Sequence, residues 1–165
     1  MSDRVDLPAI EARLRAMADV TMVPSQVTPG AIEVTTTTDR ATMVVRRDLE
    51  PASFGDVIFI AYALRDLRLL VDALRGRASV SPSTGRAIER RVRSASVGPW
   101  RASIEADGGQ GGCDVIQVSD SDDEPDMYLW IGGDLAPSAY FRFVAAARQD
   151  VAALLSAMPM EGTGS

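Results

Sequence analysis

Five carboxylates that could take part in binding or catalysis lie close together between residues 119 and 126: Asp120, Asp122, Asp123, Glu124 and Asp126. Carboxylates this close together can bind a divalent cation, or they can meet a basic protein surface. The run lacks the central glycine and the distal glutamate of a calcium loop. A solvated hairpin tip, a protein-binding surface and weak divalent-ion binding are the alternatives. We predict that these five residues bind a protein partner and that they hold no catalytic metal.

The residue types that the chain lacks narrow its chemistry further. There is no histidine, lysine or asparagine, and all 17 basic residues are arginine. Without histidine there is no Ser–His or Cys–His pair and no imidazole metal ligand, and without lysine there is no Schiff base. Carboxylates, hydroxyls and the thiol of Cys113 remain, because arginine keeps its proton at any working pH. We therefore expect a protein that is not an enzyme and that needs no cofactor.

Two other functions stay open at this point. A metal-assisted hydrolase could use the clustered carboxylates, provided that the acidic loop, residues 119–126, faces a pocket containing Asp134 or Glu105. A weak nucleic-acid binder could use the arginines of the segment Arg86–Arg93. The net charge of −6 and the pI of about 4.6 disfavour general binding to a duplex, so nucleic acid is an unlikely partner.

Five residues are expected to serve structure. Trp100 follows Gly98-Pro99 and is predicted to fill the core between sheet and helix. Arg13 and Arg91 take equivalent places in two short predicted helices, and Asp66 and Asp150 take equivalent places in two long ones. Bidentate arginine–carboxylate geometry suits a clamp. We expect each arginine to hold its short helix to the long helix of the same half.

An internal repeat predicts the elements that position these side chains. Ile10-Glu11-Ala12-Arg13-Leu14 recurs as Ile88-Glu89-Arg90-Arg91-Val92, and Phe59-Ile60-Ala61 recurs as Phe143-Val144-Ala145. A repeat of this length indicates one supersecondary unit used twice. The predicted boundaries are residues 1–76 for the first half, 77–85 for a linker, 86–158 for the second half and 159–165 for a disordered tail.

Each half is predicted to form a short helix, three strands and a long helix. Apolar residues recur at helical spacing in the long segments, and the β-branched run Thr35–Thr38 favours a strand. Three strands make a poor independent sheet, so we expect the halves to pair edges around a pseudo-twofold axis. The predicted fold is α+β, with an antiparallel sheet of about six strands covered by helices.

A resemblance rests on the second half. The residues Gly98-Pro99-Trp100 and the segment Phe143–Leu155, of the form FxAxARxDVxxLL, resemble small proteins of phages and actinobacterial genomes, such as the Ead-like proteins of lambdoid phages. The similarity covers residues 86–158, and the first half matches only through its duplicate. It implies a mobile-element or accessory context, of anti-defence or immunity type, and it brings no catalytic residue.

The remaining sequence features indicate where in the cell the protein is located. No apolar run approaches the roughly 18 residues that cross a bilayer, and the first residues have no apolar segment like that of a signal peptide. The single cysteine fits a reducing compartment. We expect a cytoplasmic protein with no membrane contact, and a homo-oligomer is possible.

Overall fold

The computed structural model describes residues 4–108, 112–121 and 123–159. These residues form four helices and an antiparallel sheet; two of the helices contact the sheet and the other two pack against those helices, so the predicted α+β class is confirmed. The helices are α1 (Leu7–Ala16), α2 (Phe54–Leu74), α3 (Pro82–Ser94) and α4 (Ser138–Ala157). Among the described residues, no helix combines the length and the apolar character that crossing a membrane requires.

The sheet is open and has eight strands in the described part of the chain. These are β1 (Thr21–Pro24), β2 (Ala31–Thr35), β3 (Arg40–Arg47), β4 (Glu50–Pro51), β5 (Arg101–Ser103), β6 (Val115–Gln117), β7 (Met127–Ile131) and β8 (Asp134–Leu135). Six of them follow the order β1-β2-β3-β7-β6-β5, while β4 pairs with β3 and β8 pairs with β7. Each half of the chain therefore supplies three neighbouring strands, and β3 and β7 join the halves at the centre.

Alternation along the central strands decides which side chains meet the helices. In β3 and β7, Met43, Val45 and Leu129 are buried in the core. Val45 and Leu129 lie opposite each other across the β3–β7 pair. Their neighbours Val44 and Trp130 also face each other but point to the other side of the sheet, because successive strand residues alternate between faces.

Helix starts follow local sequence signals. The side chains of Asp6, Ser53 and Ser81 each accept a hydrogen bond from a backbone N–H in the first turn of α1, α2 and α3. These caps satisfy donors that the first turn of a helix leaves free. The beginnings of the first three helices are therefore encoded locally.

Several boundaries differ from the predicted ones. Helix α3 begins at Pro82, inside the range 77–85 assigned to the linker, because Ser81 caps it. The short strands β4 and β8 and a 3-10 turn at Glu105–Asp107 were not predicted. Each of these elements spans only two or three residues and carries no periodic pattern to detect. Of the predicted tail, Pro159 is described, and residues 160–165 lie outside the described residues.

A glycine allows α3 and its connector to approach the beginning of α2. A β-carbon added at Gly55 would overlap the backbone carbonyl of Ser94, which belongs to the last turn of α3. The backbone carbonyl cannot move aside as a flexible side chain could. Close contact between the end of α3 and the start of α2 therefore requires glycine at this position.

We predict opposite effects of alanine at two helical glycines. Gly55→Ala should lower the free energy of unfolding by about 1–3 kcal/mol or more, since the methyl group overpacks the α2–α3 contact. Gly85→Ala, in α3, should be neutral or stabilise the protein by about 0.4–1 kcal/mol, since its methyl group meets only Val80 at 3.9 Å. Urea unfolding followed by circular dichroism measures both changes, and equal effects of the two substitutions would contradict the close approach.

Candidate functional site

The acidic run forms one wall of a polar cleft of about 350 Å³. The cleft lies at the end of the sheet where β3 finishes and the loop between β6 and β7 returns. Asp48 enters it from the β3–β4 turn, and Arg101 and Gln117 enter it from β5 and β6. The carboxylates that line it are Asp48, Asp120, Asp123, Glu124 and Asp126. Asp122, the fifth predicted site residue, lies outside the described residues.

Arginines neutralise only part of this negative charge. Glu124 pairs with Arg47 at 3.2 Å, and Asp120 pairs with Arg101 at 3.2 Å. Within the described part of the chain, the lining carboxylates Asp48, Asp123 and Asp126 have no salt bridge. The cleft therefore carries a net negative charge.

The electrostatics of Asp126 reflect this excess. Partial burial raises the pKa of the Asp126 carboxyl, the nearby Asp48 carboxylate raises it further, and Arg47 lowers it. A cationic group entering the cleft would relieve the repulsion between these carboxylates. The cleft is therefore suited to a positively charged ligand.

Arg47, the last residue of β3, joins this cleft to the body of the protein. Its Nε donates to the carbonyl of Pro125 at 2.8 Å, and its Nη2 lies 3.2 Å from Glu124. Its Nη1 reaches Ser96 Oγ at 3.5 Å and lies 3.7 Å from Asp56 Oδ2. We call the set Arg47, Asp56, Ser96 and Glu124 the Arg47 junction. Its contacts hold the acidic loop against the sheet and the beginning of α2.

Asp56 is the fully buried member of the junction. Its two carboxylate oxygens accept from Ser96 N at 2.6 Å and from Ser96 Oγ at 2.8 Å. Ser53 caps α2 as its Ser-x-x-Asp spacing predicts, but the carboxylate of Asp56 binds the connector after α3 instead of completing a capping box. A buried carboxylate needs such partners, because an unpaired buried charge is costly.

The carbonyl of Ser96 extends the junction into the core. It accepts hydrogen bonds from Trp100 Nε1 at 3.1 Å and from Arg148 Nε at 3.2 Å. Trp100 is 2% exposed and makes an edge-to-face contact with Phe59, with ring centroids 5.6 Å apart. The structure therefore places Trp100 between sheet and helices, with its polar N–H satisfied.

Sequence reasoning missed Arg47, Asp48, Asp56 and Ser96. The local signal at these positions is the spacing of Ser53 and Asp56, which is typical of a helix cap and does not indicate a buried contact. Arg47 and Ser96 lie far from each other and from Glu124 along the chain, so no spacing rule relates them. Tertiary packing alone brings them together.

The residues named for the metal-assisted alternative are not gathered in the described part of the chain. Among the described residues, no three acidic or cysteine side chains gather in a way that could hold a metal ion. Neither Asp134 nor Glu105 lines the acidic cleft. The pocket that a carboxylate-based hydrolase would need is thus not assembled from the residues predicted for it.

The arginine–aspartate clamp joins different helices from those expected. Arg13 of α1 lies 2.6 Å from Asp150 of α4, and Arg91 of α3 lies 2.8 Å from Asp66 of α2. The prediction that each pair stays within one half is therefore wrong. A short linker follows α2 and folds α3 back onto it, and α1 lies correspondingly on α4.

The two crossed pairs differ in quality. Arg91 donates to both oxygens of Asp66 and its guanidinium stacks 4.4 Å from the Tyr62 ring. Arg13 makes one hydrogen bond to Asp150, and its buried Nε has no partner among the described residues. Burial raises the pKa of both aspartates, although their arginine partners lower it. These pairs are therefore better suited to fixing which helices meet than to adding net stability.

Two of the four arginines of α3, Arg91 and Arg93, make ion pairs within the protein. Arg91 is committed to Asp66, and Arg93 pairs with Glu89 one turn away at 2.6 Å. Arg86 and Arg93 border an apolar groove of about 550 Å³ between α3 and the end of α4. Of the predicted basic cluster, Arg91 and Arg93 are therefore paired with carboxylates, whereas Arg86 and Arg90 are exposed.

Comparisons with protein-family models, curated protein sequences and solved structures give no match for this chain.

We predict unequal costs when the crossed pairs are broken. Asp66→Ala should lower the free energy of unfolding by about 3–5 kcal/mol, because it leaves the half-buried Arg91 without its carboxylate. Asp150→Ala should cost about 1–3 kcal/mol, because Arg13 is more exposed and loses a single hydrogen bond. Urea unfolding measures both values.

The double variant Asp66→Leu/Arg91→Met is the control for this prediction. It removes both charges together and should recover most of the stability lost in Asp66→Ala. Equal costs at the two pairs, or a double variant as unstable as Asp66→Ala, would contradict this account of the clamp.

Proposed function

We infer that the chain is a tandem duplication of a helix–three-strand–helix unit arranged around a pseudo-twofold axis. Each half has the same order of elements, including one short fourth strand. The strand order from either edge of the sheet to its centre runs first, second, third within each half. The two crossed Arg–Asp pairs are also exchanged by such an axis, since Arg13 and Asp150 correspond to Arg91 and Asp66.

We propose that the protein is a non-catalytic binding protein that modulates another protein through its acidic cleft. The observation that carries this proposal is the convergence of the carboxylates of the acidic loop with Asp48 at one end of the sheet, with only part of their charge neutralised. A partner with a basic surface complements this charge, and the attraction steers the approach of the two molecules.

The resemblance of residues 86–158 to small phage and actinobacterial proteins supports an accessory role encoded by a mobile element. An anti-defence or immunity protein that acts by binding a target protein would be consistent with the cleft. The metal-assisted hydrolase remains the enzymatic alternative, and nucleic-acid binding through the α3 arginines is the weakest of the three proposals.

Replacing carboxylates of the cleft should weaken binding to a basic probe. We expect the triple variant Asp120→Asn/Asp123→Asn/Asp126→Asn to bind octa-arginine at least about tenfold more weakly than the wild type, with a smaller salt dependence. The reason is that the variant removes the negative charge that attracts the probe. Fluorescence anisotropy between about 50 and 300 mM salt measures both effects.

A charge-matched triple variant serves as the control. Asp19→Asn/Glu105→Gln/Asp134→Asn changes the net charge equally, but its three exposed residues lie toward the opposite end of the sheet. Its affinity for octa-arginine should stay within about twofold of the wild type, since separated exposed charges are screened. Equal losses in both variants would mean that net charge, and not the cleft, controls binding, and the proposal would fail.

Titration with metal ions tests the enzymatic alternative. We expect calorimetry with calcium, magnesium and manganese to show no binding tighter than about 1 mM, the weak end for oxygen-ligand sites. The reason is that the described carboxylates do not gather into a metal-binding group. Micromolar binding of one ion together with a higher melting temperature would place the hydrolase ahead of the binding protein.

A further inference from the structure

Three large apolar side chains are strongly exposed near the Arg47 junction. Leu49 is 88% exposed, Phe54 74% and Val97 87%. Leu49 sits in the two-residue turn between β3 and β4, Phe54 is the first residue of α2, and Val97 lies in the connector after α3. Exposed apolar residues are common singly, but a group of them marks an interaction surface.

The junction brings these three segments together. Leu49 follows Arg47 by two residues, Phe54 precedes Asp56 by two residues, and Val97 is next to Ser96. Two residues of chain span at most about 7 Å, so each apolar residue lies close to a member of the junction. Arg47, Asp56 and Ser96 are within 3.7 Å of one another through their side chains. Leu49, Phe54 and Val97, here called the apolar patch, therefore share one end of the molecule.

The apolar patch also adjoins the acidic cleft. Asp48, which lines the cleft, immediately precedes Leu49, and its backbone N–H donates to the carbonyl of Asp126 at 3.1 Å. Glu124, which also lines the cleft, pairs with Arg47. An apolar centre with a charged border is the usual arrangement of a protein–protein interface.

Local structure holds the patch ready for a partner. Ser53 caps the helix that carries Phe54, and the backbone N–H and the hydroxyl of Ser96 anchor the connector that carries Val97 to Asp56. Asp48, at a φ of 53°, adopts the left-handed conformation that aspartate tolerates in a tight turn. Because the backbone that presents these side chains is already held in place, binding does not require ordering of a loop and costs less conformational entropy.

We propose that the apolar patch anchors a basic, amphipathic polypeptide segment whose positive side chains enter the adjoining acidic cleft. This inference rests on the proposed binding function and adds the chemistry of the partner: one apolar face flanked by arginine or lysine. Leu49, Phe54 and Val97 supply most of the affinity, and the carboxylates supply the preference for positive charge.

Charge selects this occupant over the others that an apolar patch could attract. In a symmetric dimer the same patch meets itself, so two acidic clefts would be brought together and would repel. Anionic lipid surfaces and nucleic acids would face the same repulsion, which the net charge of −6 strengthens. A basic polypeptide is the occupant that satisfies both the apolar patch and the carboxylates beside it.

The experiment compares three synthetic probes on the full-length chain. One is an 18-residue peptide of leucine and lysine with its leucines on one helical face, the second has the same composition in an order without an apolar face, and the third replaces lysine by glutamate. Fluorescence anisotropy measures binding to the wild type, to Leu49→Ser/Phe54→Ser/Val97→Ser and to the control Val23→Ser. Val23 is 48% exposed on the edge strand β1.

We expect the amphipathic basic peptide to bind the wild type at least about tenfold more tightly than the reordered peptide does. The triple patch variant should bind both basic peptides at the level of the reordered one and keep its salt dependence. Val23→Ser should bind as the wild type does. The acidic peptide should not bind. Thermal unfolding checks that all variants fold, and the exposure of the substituted residues makes this the expected result.

The contrary outcomes separate the inference from the function it rests on. The inference is overturned if both basic peptides bind with equal, salt-sensitive affinity and the patch substitutions do not change that affinity. This result would leave the acidic binding site intact. Binding of neither basic peptide, or equal binding of the acidic peptide, overturns both. Two further results would assign the patch to another occupant and overturn the inference. One is a wild-type dimer in sedimentation, and the other is retention on anionic phosphatidylglycerol vesicles, in each case lost in the triple patch variant.

Discussion

The buried carboxylate of Asp56 is the constraint on which this end of the structure depends. A charge without exposure to solvent must be matched by hydrogen-bond donors, and here Ser96 supplies two of them while Arg47 lies 3.7 Å away. Meeting this requirement ties the beginning of α2 to the connector after α3 and to the end of β3. The absence of a side chain at Gly55 allows the same approach, because any β-carbon there would overlap the carbonyl of Ser94.

Ion pairs between helices have a different role from the one at Asp56. Arg13 and Arg91 each cross to a long helix, and burial raises the pKa of the aspartates that they meet. Desolvation thus offsets much of the attraction, as is usual for ion pairs removed from water. Such a pair still penalises any arrangement that leaves one of its charges alone. The pairs therefore favour one set of helix contacts over the alternatives, and the aliphatic core beneath them provides the stability.

Arg47 connects the proposed binding surface to the body of the protein. Its guanidinium holds Pro125 and Glu124 of the acidic loop, so the loop's carboxylates are presented at a fixed place beside Asp48. The same residue places Leu49 and Val97 at the border of that charge, through the β3–β4 turn and through Ser96. In the proposed binding function, a surface with both features would discriminate by charge as well as by apolar burial, which a purely acidic loop on a mobile hairpin would not do.

The sequence by itself determined the elements whose signals are local. Helical periodicity follows from neighbouring residues, and together with the repeat it predicted the α+β class and the order of helices and strands in each half. The caps at Asp6, Ser53 and Ser81 are also local contacts. The repeat of Ile10 and Phe59 at Ile88 and Phe143 likewise predicted two similar halves. Two-residue strands such as β4 and β8 escaped prediction, because they exist only through pairing with β3 and β7.

Tertiary structure alone decided which partners these elements meet. Arg13 has equivalent candidates in Asp66 and Asp150, and sequence cannot choose between them, because the choice depends on α3 folding back onto α2. The acidic run was visible in the sequence, but its joining with Asp48, Arg47 and the apolar patch was not. Those contacts link residues far apart along the chain, and the requirement to satisfy the buried carboxylate of Asp56 brings them to one place.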